Sequence, residues 1–396
     1  MNINITIDTL SITLGIVLLI LSVLSTVMNP FLRFRRSKPQ NEEEDNAARH
    51  NPLPSLSVII TPHREGDKLE KNLPLILNQI YPGGFRLIVV AEQGDRETED
   101  ALKRIKNKYS QQQSDCELYV TFIPDSSRYV SRKRLAMTLG AKAAQSEWIL
   151  FSEASSRPDT QQWLTTMAQA CDNNVGLIIG YGHYSADTPS FMRFERLQTS
   201  FYLMREDKAQ TAYRTVSHNV MIRKDDFLNQ EGFEGSLHLP RGEYDSLVNK
   251  FSQARQTYLV TNPEAWVTDD SPSKKAWRAQ QVFYIETRKI LKRSFPHRLL
   301  FNADQCMLHL TFIAIVAAAV YSVLTIKWLI LAADILALGI VVIGRLVTAR
   351  RAIHDFNEEI SLWLVLPFEL RIVWHNAMTM VRHKFTDKIA FTTHKQ

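Results

Sequence analysis

The order of apolar and polar positions divides the chain before any single residue is considered. Residues 9–32 carry no charge, and the run LSITLGIVLLILSVLSTVM within them is long enough to cross a bilayer core of about 30 Å. A cleaved signal peptide would need a basic start and a small-residue cleavage site. Here the positive cluster RFRRSK follows the apolar run instead, which predicts an uncleaved anchor with its C-terminal end in the cytoplasm. Towards the other terminus, CMLHLTFIAIVAAAVYSVLTI and WLILAADILALGIVVIGRLV are separated only by Lys327, the pattern of a helical hairpin. RKILKRSFPHR precedes the hairpin and RLVTARR closes it, so both outer ends are expected on the cytoplasmic side. Asp334 lies within the second of these runs, and a lone acid among small residues more often packs against a neighbouring helix than serves a pathway. Beyond Arg351, EEISLWLVLPFELRIVWHNAMTMVRHKF is apolar but broken by Pro367 and several charges. That pattern predicts an amphipathic helix lying in the interface, with Trp363 and Trp374 at headgroup level.

Between these segments the pattern changes. SKPQNEEEDNAARHNPLP is polar and charged, the composition of a tether. From Leu56 onward, short β-branched runs (LSVIITP, FRLIVVAE, ELYVTFIP, EWILFSE) alternate with helical sequence such as KLEKNLPLILNQI. Strands alternating with helices imply a mixed, mainly parallel sheet covered on both faces, and such sheets bind ligands at the carboxyl ends of their strands. The predicted segments are an anchor over 1–32, a linker over 33–54, an α/β domain over 55–295, a membrane hairpin over 296–348 and a tail over 349–396.

Composition narrows the function classes. A net charge of +6 on 396 residues is modest and gathers beside apolar segments, which points to a membrane surface rather than to nucleic acid. Cys116, Cys171 and Cys306 follow no metal-ligand spacing, so a reduced chain without disulfides is expected. No internal repeat, GxxxxGK[ST] loop or GxGxxG fingerprint is present, so any nucleotide must be held by another device. EWILFSEASSRP supplies a candidate: a buried strand runs into a polar turn carrying one carboxylate, Glu153.

SVIITPHREGDKLEKNLPLILNQIYPGGFRLIVVAEQGDRET resembles the opening of family 2 glycosyltransferases, with Pro62 in the first turn and Glu92 where an acid holds the nucleoside of the donor. SRKRLAMTLGAKAAQSEWILFSEASSRPDTQQWL resembles their next block, with Lys133 in the basic stretch before the metal-binding turn. HNVMIRKDDFLNQEGFEGSLHLPRGEYDSLVNK is similar to the acceptor-side block, and AWRAQQVFYIETRKI stands in the place of the closing motif. The likeness comes nearest to membrane-anchored members from Bacteroidetes-type bacteria. It implies a nucleotide-diphospho-sugar transferase (GT-A-like) fold in a multi-pass protein of the bacterial inner membrane, with the catalytic domain in the cytoplasm. The implied reaction is transfer, with inversion, from a UDP- or GDP-sugar to a lipid-linked or surface-glycan acceptor. A divalent cation, Mg or Mn, would offset the charge of the departing diphosphate, and a carboxylate would take the acceptor proton.

The resemblance carries residue roles with it, and several are altered. Donor binding falls to Pro62, Glu92, Lys133, Glu153, Arg157 and Gln280. Relatives place two aspartates where this chain reads Glu153, Ala154, Ser155. The metal would therefore rest on Glu153 and a neutral serine hydroxyl, a poor ligand for a hard cation. Arg157 is the alternative source of positive charge for the leaving group. In GEYDS the position of the proton acceptor falls on Tyr244. Asp245, one residue along, becomes the base with Glu243 raising its pKa, and Asn219 and Tyr244 fall to the acceptor. Val282 and Phe283 replace cations expected in the closing motif. Glu153 as a solvated turn cap and Asp245 as a helix N-terminal charge are the bland readings of the same residues, and His63 and His218 read as polar loop residues. A catalytically silent relative acting as a scaffold in glycan synthesis is the alternative function. A small transporter fits poorly, because the spans hold one acid and no repeat.

Overall fold

A computed structural model of the protein describes residues 8–33, 52–109, 116–124, 131–253 and 255–386. Most of the expected linker, and most of the basic run after the first apolar segment, lie outside these residues. The described residues form two compact units. One holds the N-terminal helix, Pro189–Arg205 and Arg293–Met378; the other holds the sheet-forming sequence on either side of Pro189–Arg205. The first helix, α1 (Thr9–Val27), begins at Asp8, whose carboxylate accepts from Ser11 N at 3.3 Å, and is followed by the single turn α2 (Pro30–Arg33).

In the sheet unit, β1 (Leu56–Ile60), α3 (Gly66–Leu77), β2 (Phe85–Glu92), α4 (Arg96–Tyr109), β3 (Cys116–Ile123), α5 (Arg132–Ala143) and β4 (Trp148–Ser152) alternate as the sequence predicts. There follow β5 (Ser156–Pro158), α6 (Trp163–Ala168), β6 (Val175–Gly180), β7 (Gly182–Tyr184) and α7 (Ser190–Lys208). The remaining elements are β8 (Val220–Arg223), α8 (Lys224–Asn229), α9 (Glu243–Phe251), β9 (Gln256–Val260), β10 (Val267–Asp269) and α10 (Lys274–Thr287). Seven strands form one sheet in the order β3-β2-β1-β4-β8-β6-β9, parallel throughout except for β8, which runs against both neighbours. A small sheet, β5-β10-β7, is built from the segment that follows β4 and from two later strands.

Alternation along β1 shows how the sequence builds two layers. Val58 and Ile60 join a core with Leu69, Leu73 and Leu102 of α3 and α4, whereas Ile59 joins the opposite core with Ala136 and Met137 of α5 and Leu247 of α9. Gly140 lets α5 lie close to the sheet: a Cβ there would sit 2.6 Å from Ile59 Cγ2. Local signals place the helices. Asp95 accepts from Thr98 N at 3.3 Å at the start of α4, and Ser131 Oγ accepts from Arg134 N at 3.3 Å at the start of α5.

The helical unit contains α1, most of α7, α11 (Phe295–Thr325), α12 (Trp328–Asp355) and most of α13 (Val365–Phe385). Among the described residues, three helices are long and apolar enough to cross a membrane: Thr9–Val27, Arg298–Thr325 and Trp328–Asp355. The segment expected at the interface forms α13 and the turn before it, with Trp363 and Trp374 exposed. Asp8 and Lys327 pair at 2.6 Å, joining the start of α1 to the turn between α11 and α12. Elsewhere in the unit, the fully buried Arg345 of α12 bonds Asp304 of α11 at 2.8 Å, Glu369 of α13 at 3.0 Å and the Ser25 carbonyl of α1 at 2.7 Å. Phe191 and Phe194 of α7 meet Phe368 with ring centroids 5.4 and 5.6 Å apart. This aromatic helix therefore groups with the membrane-type helices, which interrupts the continuous domain expected over 55–295.

Candidate active site

The turn after β4 is the centre of a polar cluster. Glu153 is buried, and its Oε1 lies 2.5 Å from Lys133 Nζ, delivered by the first turn of α5. Burial works against the Lys133 ammonium, but Glu153 and Glu243 outweigh it and hold its pKa above the ordinary lysine value. Tyr244, from the first turn of α9, is a neighbour of Glu153, and burial together with that carboxylate pushes the phenol pKa far up. The Tyr244 ring stands 5.0 Å from the ring of His218, whose Nδ1 lies 3.1 Å from Asp269 Oδ2. Asp269 also accepts from Ser156 Oγ, which ties the end of β10 to β5.

On the other flank of the same turn, Asp270 gathers two cations. Its Oδ1 accepts from Lys71 Nζ at 2.7 Å and from Arg157 Nη1 at 3.2 Å, and its backbone N–H donates to the Ser155 carbonyl at 2.9 Å. Asn72 of α3 donates to the Ala154 carbonyl at 2.9 Å and so fixes the turn. At the ends of β1 and β2, Glu92 is gripped by His63 Nδ1 at 3.1 Å and Arg132 Nη1 at 2.8 Å, and Pro62, next to His63 in the chain, is buried.

The base region follows from how α9 begins. Gly242 has a φ of 84°, and a Cβ on it would meet Thr287 Oγ1 at 2.6 Å, so only glycine suits this entry to the helix. Glu243 is buried, accepts from Ser131 Oγ at 3.4 Å and faces Arg134 Nη1 at 4.0 Å. Arg134 in turn donates to the carbonyls of Leu239 and Arg241, so α5 fixes the loop that leads into α9. Burial pushes Asp245 up to about 6, against the pull of Arg214 and of the Thr215 backbone N–H. Arg214 lies over the Tyr284 ring at 3.8 Å, and Arg241 lies over Phe283 at 4.6 Å. The segment expected to supply closing-motif cations thus presents aromatic faces to arginines from elsewhere in the chain.

Two expected residues stand apart. Asn219 is wholly buried and its amide is used inside the fold: Oδ1 accepts from Trp163 Nε1 at 3.1 Å, and Nδ2 donates to the Ala265 carbonyl at 2.8 Å and the Tyr181 carbonyl at 3.4 Å. That geometry gives Asn219 a structural part. Gln280 is exposed on α10 and is not one of the described residues that build the cluster.

The residues at the turn do not suit a divalent ion. Glu153 is already paired with Lys133, Ser155 offers no charge, and Asp269 and Asp270 are turned to His218 and to Lys71 with Arg157. Among the described residues, no three His, Cys, Asp or Glu side chains are grouped so as to hold a metal.

Sequence pattern alone does not single out Asp269, Asp270, Lys71 and His218 as members of the cluster. One signal is present: WVTDDSP is a β-branched run ending in two acids, much as WILFSE ends in one. Lys71 and His218 carry no such mark, because only the tertiary fold brings them to the turn.

No family model matches the chain, and no curated protein sequence matches it. Solved structures do. A mannosyltransferase from Pyrobaculum calidifontis, determined with GDP-Man and Mn2+, is similar over 92% of this chain and 98% of its own, with 15% identity and a TM-score of 0.51. For TarS from S. aureus, residues 1–349 with UDP-GlcNAc, the match spans 76% of this chain and 89% of that one, at 14% identity and a TM-score of 0.42. For GalNAc-T7 with UDP, GalNAc and Mn2+ it spans 68% and 56%, at 12% identity and a TM-score of 0.42. With its mixed, mainly parallel seven-stranded sheet and its likeness to the mannosyltransferase, the chain has the GT-A-like fold of nucleotide-diphospho-sugar transferases.

Proposed function

We propose that this protein is a membrane-bound glycosyltransferase that moves a sugar from a nucleotide-diphosphate donor to a lipid-linked or surface-glycan acceptor, with inversion. The observation that carries the reading is the meeting of Glu153, Lys133, Tyr244, His218 and Asp269 at the turn after β4, where the strands of such a sheet present their ligands. In this reading the nucleoside lies along Pro62, His63 and Glu92, and the diphosphate lies by Lys133 and Arg157. Asp245 takes the acceptor proton: its raised pKa matches a base that works near neutral pH. Three apolar helices suit residence in a membrane, and the Lys and Arg excess at their ends supports a cytoplasmic sheet unit at the inner membrane of a bacterium.

A second reading has an observation of its own. The resemblance puts the proton-acceptor position on Tyr244, a phenol that burial and the Glu153 carboxylate keep protonated, as suits a fold that binds a donor without turning it over. Detergent-purified protein incubated with a panel of UDP- and GDP-sugars separates the two. A glycosyltransferase releases UDP or GDP, and a glycolipid acceptor stimulates the release. Donor binding without any release supports the silent relative and removes the enzyme reading.

A further inference from the structure

Resting on the glycosyltransferase reading, we propose that this chain holds and stabilises the donor diphosphate with fixed side-chain cations, Lys133 on one flank of the β4 turn and Arg157 with Lys71 on the other, and not with a divalent ion. The turn of residues 153–157 is bracketed by these groups. Lys133 Nζ lies 2.5 Å from Glu153, and Lys71 and Arg157 converge on Asp270 at 2.7 and 3.2 Å. A divalent ion entering here would have to displace Lys133 from the one carboxylate of the turn, and Ser155 adds no second charge to hold it. A diphosphate need not break these pairs, because ammonium and guanidinium groups keep N–H donors beyond those turned to Glu153 and Asp270. It brings acceptor oxygens to ammonium and guanidinium groups that the carboxylates keep in place beforehand, so little reorganisation is needed.

The reaction balances without a metal. The acceptor oxygen forms a bond to the anomeric carbon as the bond from that carbon to the phosphate oxygen breaks. The electron pair leaves with the diphosphate, and the acceptor proton passes to Asp245. The added negative charge on the leaving group falls where Lys133 and Arg157 stand.

The test is calorimetric titration of UDP, GDP, CDP and dTDP into the full-length protein in detergent, once with EDTA and once with Mn2+ or Mg2+. One nucleotide is expected to bind with the same Kd within about fivefold in both conditions, and Arg157→Gln and Lys133→Gln are each expected to weaken it about tenfold or more in EDTA. Arg157 is the safer position, since its side chain is partly exposed and its loss leaves Lys71 on Asp270; melting curves confirm that each variant folds. Binding more than about fivefold tighter with the divalent ion overturns this proposal and leaves the glycosyltransferase reading in place. Metal-independent binding that ignores both substitutions also overturns it. Failure of every nucleotide to bind in either condition removes the glycosyltransferase reading and this proposal together.

Discussion

At the scale of single residues, Asp245 joins function to stability. Its pKa is pushed up to about 6 by burial, with Glu243 adding to the effect and Arg214, the Thr215 N–H and His218 opposing it. A base with that pKa is ionised only above it, so donor turnover is expected to fall about tenfold per pH unit below about 6 and to level off above. Stability follows a different course. The unfolded carboxyl loses its proton near its ordinary value of 3.8 and the folded one near 6, so between these values the native state binds more protons and stability falls as pH rises. Asp245→Asn should therefore cut turnover by roughly 10²–10⁴-fold while raising the melting temperature at about pH 7. A variant that loses both activity and stability would contradict this placement. Asn219 makes the opposite case. Asn219→Ala takes away the partner of Trp163 Nε1 and of the buried Ala265 carbonyl and one of the bonds to the Tyr181 carbonyl, an expected cost of about 1–3 kcal/mol in denaturant melts, with the KM for the acceptor unchanged in folded protein. A raised acceptor KM without loss of stability would restore an acceptor role for it.

Among the elements, Arg345 makes the helical unit depend on one buried guanidinium, which joins α1, α11, α12 and α13. Arg345→Met leaves Asp304 and Glu369 buried without their cation, and a loss of about 3–5 kcal/mol is expected, read as loss of monodisperse protein on detergent size exclusion. An unchanged elution profile and melting temperature would show that the pairing is dispensable. How far such elements are legible in the sequence depends on whether their pattern is local. LSVII, FRLIVVAE and WILFS are dense β-branched or aromatic runs bounded by turn residues, and each forms a strand at the expected place. Glu153 at the end of WILFS is legible for the same reason. The pairing of α7 with the membrane-type helices is legible only in part: its Met and aromatic residues read as a helix packing on the membrane side, against an acceptor channel or in the core, and the fold decides by setting Phe191 and Phe194 against Phe368. The partners of Asp270 are hidden likewise, since Lys71 lies 199 positions away in the chain and nothing local marks it.

On the scale of the whole molecule, the Lys and Arg excess predicts the start of α1 and the hairpin turn on one side of the membrane, and the pairing of Asp8 with Lys327 agrees with that arrangement. With Cys116, Cys171 and Cys306 replaced, a cysteine placed by Lys327→Cys should react with an impermeant maleimide on intact spheroplasts, and one placed by Gln280→Cys only after lysis. The reverse pattern would invert the topology and remove the cytoplasmic donor supply. Under the proposed function, the polar cluster at the turn after β4 receives the diphosphate of an activated sugar. A crystal or cryo-electron microscopy structure of the full-length protein with its bound nucleoside diphosphate tests it most directly. The diphosphate is expected within hydrogen-bonding reach of the Lys133 ammonium and the Arg157 guanidinium, with the base near Glu92. A nucleotide seated elsewhere, or a diphosphate that neither cation touches, would contradict it.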